Sequence, residues 1–60
     1  MNFKDLEKMI LKKGWYLKDI RGSHHNYIHD EIQGKITIPN HKGDLNIKTV
    51  NSILKQSGLK

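Results

Sequence analysis

Apolar residues near the start of the chain fall at Phe3, Leu6, Met9 and Ile10, spaced by three and four, with polar residues between them. That period places one apolar stripe along a helix. Asp5 and Glu7 come early and Lys12 and Lys13 late, an order that complements the helix dipole. Asn2 is a capping residue by type, and Gly14 can supply the left-handed conformation that closes a helix, so the pattern predicts a helix from Asn2 to Lys13. The period then changes. Trp15 to Ile20 is dense in aromatic and apolar residues, with Trp15 and Leu17 able to share one face of a strand, and Arg21-Gly22-Ser23 reads as a tight connection. His24 to His29 forms a second extended run around Tyr27, and Asp30 to Gly34 carries turn chemistry. Lys35-Ile36-Thr37-Ile38 alternates as a half-buried strand does, Pro39 ends it, and Asn40 to Leu45 is a polar loop. Helical spacing returns at Ile47, Val50, Ile53 and Leu54, with Asn46 as the cap and Gly58 as the stop.

The order is therefore α-β-β-β-α, an α+β fold in which three consecutive strands make an antiparallel meander. Two amphipathic helices bury their stripes most economically on one face of that sheet, which leaves the other face open. Along the second strand His24, Asn26 and Ile28 alternate with His25, Tyr27 and His29. With Tyr27 in the core, His24 faces the open side. Ile28 then also faces that side, which calls for a bulge or a partner contact.

Composition narrows the class. The chain has 60 residues, enough for a single domain spanning 1–60, and a fold this small buries only about 60% of the surface its unfolded chain exposes. A stabilising protein partner is expected on that ground. There are no cysteines, which removes disulfides and thiolate ligands and fits a cytoplasmic setting. Hydrophobic residues make up 35% of the chain without a long apolar run, so neither an export signal nor a membrane span is expected. Eleven Lys and Arg against six Asp and Glu give a formal charge of +5, which favours a polyanionic partner. Charge alone does not separate a phosphate-binding surface from a solvated one.

Candidate chemistry centres on histidine, the side chain that takes and returns a proton near neutral pH. His24 directly follows the Gly22-Ser23 turn at the start of a strand, a plausible active-site position, although on the residues alone it reads first as a solvated turn histidine. His25 and His29 have a spacing that binds zinc on a helix. On a strand those positions lie about 13 Å apart, so they do not share an ion, and no metal or other cofactor is expected. Ser23 is adjacent to His24 and so diverges from it; its hydroxyl suits the turn backbone better than nucleophilic catalysis. Lys18, Arg21, Lys35 and Lys42 flank the histidines and could hold phosphates. Arg21 is preferred among them because a guanidinium offers two parallel donors. His41 lies in the loop after Pro39, which could fold back toward the sheet.

Taken together, Gly14-Trp15, Arg21-Gly22-Ser23-His24-His25 with Tyr27, Ile38-Pro39 with His41, and Thr49 followed by Ser52-Ile53-Leu54-Lys55-Gln56 and Gly58 resemble the HicA toxin family over nearly the whole chain. The resemblance implies a small ribonuclease of a type II toxin-antitoxin module. It implies a double-stranded-RNA-binding-domain-like fold, cleavage of mRNA, and neutralisation by a HicB-like antitoxin. It also implies that His24 is the catalytic residue. The chain departs from the family at Lys48, where glycine often precedes the helix threonine, and at Asn51, where a basic residue is common. The expected function is a metal-independent endoribonuclease, monomeric when free and hetero-oligomeric with its antitoxin. In it His24 acts as acid or base on the ribose 2′-hydroxyl and scissile phosphate, with His25 or His41 as an auxiliary proton carrier. Two alternatives stand beside it: an RNA-binding module of the same fold that does not cut, and a purely structural interaction domain.

Overall fold

In the computed structural model, which describes residues 1–60, the Asn2 side-chain oxygen accepts the Asp5 N–H at 2.9 Å and opens the first helix, α1 (Phe3–Lys13). Gly14 closes it with φ +110°. Trp15 follows in the core, and the chain enters β1 (Tyr16–Arg21), β2 (His24–Ile28) and β3 (Ile36–Pro39) before α2 (Ile47–Ser57). Asn46 caps α2 by accepting the Lys48 N–H at 2.8 Å, and Gly58 ends it in the left-handed region. The element order and both pairs of caps are those the sequence predicts. Ile47 is the exception within α2: at 69% exposure it lies outside the buried face set by Val50, Ile53 and Ser57. Helical side chains tilt toward the N-terminus, so a residue at the first position overhangs the end of the packed layer.

The three strands pair antiparallel in the order β1-β2-β3. Gly22 and Ser23 form the two-residue hairpin loop, and Gly22 has φ +59°, the positive value a type II′ turn needs at its first central position. Arg21 pairs with His24, Ile20 with His25 and Asp19 with Asn26, but Leu17 pairs with Tyr27, so Lys18 is an extra residue in β1. The irregularity lies in the first strand and not around Ile28. β2 runs regularly, and Ile28 sits half-buried on the open side opposite Tyr16.

The core comprises Phe3, Leu6 and Ile10 from α1, Trp15, Tyr27 from β2, Ile36 and Ile38 from β3, and Val50 and Ile53 from α2. β1 contributes no buried residue, because both helices pack over β3 and its β2 neighbours and stop short of the first strand. Leu17 and Ile20 lie on the helix side of the sheet yet remain exposed beyond that layer, so Leu17 does not share the burial of Trp15. Polar anchors supplement the small core. The Trp15 indole N–H donates to the Ser57 carbonyl at 3.1 Å, and the Tyr27 hydroxyl donates to the Glu7 carboxylate.

Two outcomes follow from these contacts. A Cβ at Gly14 would stand 2.8 Å from His29 Nε2 on a backbone with positive φ. Gly14→Ala should therefore destabilise the fold by about 1–3 kcal/mol in urea titration. Burial, with the Glu7 carboxylate beside it, pushes the Tyr27 phenol well above its ordinary value of 10.0. Above about pH 10 the unfolded chain releases that proton while the folded chain keeps it, so stability falls as pH rises. Tyr27→Phe should lower the stability at neutral pH and flatten its decline between pH 9 and 11, as read by thermal unfolding.

Candidate active site and nucleic-acid interface

The cross-strand pairs place three rows of side chains on the open face of the sheet: Arg21, His24 and Pro39; Asp19, Asn26 and Thr37; Tyr16 and Ile28. The middle row is fully hydrogen-bonded. Asn26 Nδ2 donates to Asp19 Oδ1 at 2.7 Å, and Thr37 Oγ1 donates to Asn26 Oδ1 at 2.6 Å. Asn26 is only 6% exposed although it faces away from the helices, so this row forms a polar floor across all three strands. The Asn26 hydrogen bond holds the Asp19 carboxyl below its ordinary value, with help from the positive charges of Arg21, Lys18 and Lys35 and against a smaller desolvation effect. Asp19 is consequently the anionic centre of a cationic surface.

His24 opens β2 directly after the hairpin and is exposed, with Arg21 as its neighbour across the strand pair. His25 in β2 and His29 just past its end are engaged elsewhere in the fold. His25 sits between Ile20 and Ile38 in register and meets Phe3 edge-on at 4.7 Å between ring centroids. Its Nδ1 is buried without a partner and its Nε2 stands 3.5 Å from Asn40 Nδ2. His29 Nδ1 accepts the Glu31 and Ile32 N–H groups, which leaves the proton on Nε2 to donate to the Lys13 carbonyl at 3.1 Å. Its ring also meets Trp15 edge-on at 5.3 Å. The structure thus separates His25 from His24 by the thickness of the sheet and gives His29 a place in the fold.

The loop after β3 reaches back to the hairpin. The Asn40 N–H donates to the Ser23 carbonyl at 2.7 Å, extending the β2–β3 ladder past Pro39 and starting His41 alongside the turn. It is the Ser23 carbonyl, rather than its hydroxyl, that is engaged. His41 and Lys42 are both exposed, and the loop's far end is tied to the N-terminus by the Leu45 N–H bonded to the Met1 carbonyl at 2.9 Å. Lys18 occupies the β1 bulge, while Lys35 precedes β3 and borders a cleft toward α2.

Of the predicted cations, Lys18, Arg21 and Lys35 gather around Asp19, whereas Lys42 belongs to the loop. The polar row of Asp19, Asn26 and Thr37 escaped sequence reasoning, although alternation places all three on the His24 side once the strands are aligned. The sole ion pair joins the Met1 amino group to Asp44 at 3.9 Å, so the lysine and arginine side chains are free of carboxylate partners. No three His, Asp or Glu side chains converge on a common point. An exposed imidazole beside a guanidinium can hold a phosphodiester and exchange a proton with it.

A search of curated proteins gave no match. Residues 3–59 match the family described as the HicA toxin of bacterial toxin-antitoxin systems. That span takes in α1, all three strands, the His24 hairpin and α2, and the chain belongs to the HicA toxin family.

Proposed function

We propose that this toxin is a metal-independent endoribonuclease that cleaves mRNA in the cytoplasm, with His24 as its catalytic base. The observation that carries this reading is the exposed His24 in one row with Arg21, next to a hydrogen-bonded polar row on the same face. His24 takes the proton of a ribose 2′-hydroxyl, and the 2′-oxygen forms a bond to the adjacent phosphorus. The bond from phosphorus to the 5′-oxygen breaks, and that oxygen leaves with a proton. The products are a 2′,3′-cyclic phosphate and a free 5′-hydroxyl. Arg21 binds the non-bridging oxygens as negative charge develops, with Lys18 and Lys35 adding to the local positive potential.

The leaving oxygen needs an acid. His41 is assigned this role in preference to His25, because the Asn40–Ser23 hydrogen bond starts the His41 loop beside the hairpin while His25 lies on the other side of the sheet. Lys42, in the same loop, adds a phosphate contact. An antitoxin of the HicB kind, forming a hetero-oligomer with the otherwise monomeric toxin, neutralises it by covering this open face.

Purified protein incubated with labelled mRNA in EDTA should yield fragments ending in cyclic phosphate. His24→Ala should reduce cleavage at least about 100-fold while keeping RNA affinity, and DNA of the same sequence should survive because it lacks the nucleophile. Intact RNA with both proteins, together with a retained complex on a native gel, would select the non-cleaving RNA-binding module instead. His41→Ala should lower kcat by about 10- to 100-fold and remove the alkaline limb of a bell-shaped pH profile. An unchanged profile would discard His41 as the acid.

A further inference from the structure

The surface between β3 and α2 carries more positive charge than the His24 row requires. Lys35, Thr37, Lys48, Ser52 and Gln56 border a cleft there, and Lys48 and Ser52 also border a second depression that continues to Lys55 and Lys60. The two depressions adjoin along Lys48 and Ser52, and together they make the basic trough of α2. No Asp or Glu side chain lines either depression, and from Asn46 to Lys60 the chain contains no acidic side chain. The outer surface of α1 differs, since Lys4 and Lys8 there share their depression with Asp5 and Glu7. Uncompensated like charges repel one another and oppose folding, and α2 gains no ion pair from its lysines. Lys60 Nζ donates to Asn51 Oδ1 at 3.0 Å, which draws the last cation over the trough rather than away from it.

The trough joins the open face of the sheet. Thr37 belongs both to its wall and to the hydrogen-bonded floor with Asn26 and Asp19, and the charge of Lys35 is felt at Asp19. Lys48 and Lys55 are seven residues apart, two turns of α2, a rise of about 10 Å. The walls offer ammonium, hydroxyl and amide groups and no aromatic ring. Such a lining contacts phosphate oxygens and does not stack bases.

We propose that this trough binds the phosphate backbone of the RNA strand on one side of the cleaved bond, leading it from Arg21 and His24 over Thr37 and onto α2. Lys48 and Lys55 each take one phosphate, independently of base identity. The inference rests on the ribonuclease reading for the position of the cleaved bond, but the phosphate binding is measurable without cleavage.

The test is fluorescence anisotropy with a labelled RNA of about 12 nucleotides, using the His24→Ala protein so that substrate is not consumed. Adding Lys48→Gln and Lys55→Gln should weaken binding roughly 10-fold near 0.1 M salt and lower the slope of log affinity against log salt by about 1.4, two single-strand contacts. Adding Lys8→Gln and Lys12→Gln instead removes the same charge from α1 and should leave that slope unchanged. Equal losses in the two pairs would overturn the trough in favour of net charge alone. Unchanged RNA binding with weakened antitoxin binding would overturn it in favour of a protein contact. Thermal unfolding of each variant separates these outcomes from loss of fold. A lowered slope in a protein that never cleaves RNA would keep the trough and reject the nuclease, while cleavage with an unchanged slope would do the reverse.

Discussion

Trp15 is the contact on which the rest of this small structure depends. It is the one core residue outside every helix and strand, standing between the left-handed end of α1 and the first residue of β1. Its indole N–H occupies a carbonyl at the C-terminal end of α2, one of the acceptors that a helix end leaves without an intrahelical partner. Its ring edge meets His29, which is in turn held by the last carbonyl of α1 and by the amides of the turn after β2. The end of α1, the exit of β2 and the end of α2 thereby meet at one side chain. A core of nine buried apolar residues has little else with which to hold three chain segments in register.

Because the helices gather over β3 and its neighbours, the sheet has one packed face and one open one, and the open face must keep its register without apolar burial. The Asp19–Asn26–Thr37 row does this. Each polar group answers another across a strand boundary, so a one-residue slip would break both hydrogen bonds and reverse every side chain. The Lys18 bulge fits the same requirement by bringing Asp19 and Arg21 onto the face of Asn26 and His24. Structural polarity and the proposed catalysis therefore share a surface: the row lies next to the pair in which Arg21 and His24 stand opposite each other.

Much of the fold was legible because local chemistry and global packing agree. Asn2 with Gly14 and Asn46 with Gly58 mark both helices, and Gly22-Ser23 marks the hairpin. Alternation around Tyr27 was sufficient to put His24 on the open face. The rest depended on nonlocal relations. No pattern within Trp15 to Ile20 reveals that the helices stop short of β1, so Leu17 looked like a core residue. The stripe at Ile47 continues a correct helical period past the point where there is anything to pack against. The bulge is a property of two strands together, so the side-chain pattern around Ile28 does not reveal that it lies at Lys18. His25 and His41 were equal candidates in sequence; Phe3 and the Asn40–Ser23 bond, both distant along the chain, separate them.

The distribution of charge joins these points. A chain with eleven basic side chains and a single terminal ion pair carries self-repulsion that its small core must offset. Any polyanion docking on the open face or the α2 trough relieves that repulsion and stabilises the folded state in proportion to its occupancy. Membership of a toxin-antitoxin family brings a protein partner into the same electrostatic field as the proposed RNA. On the proposed reading, an acidic partner would not need to touch His24 to oppose RNA binding, since neutralising the lysines would already remove their attraction for phosphates. On the same reading, burial of His24 and neutralisation of the surrounding field would be separable routes to inhibition, with the same unpaired lysines serving the toxin when free and its restraint when bound.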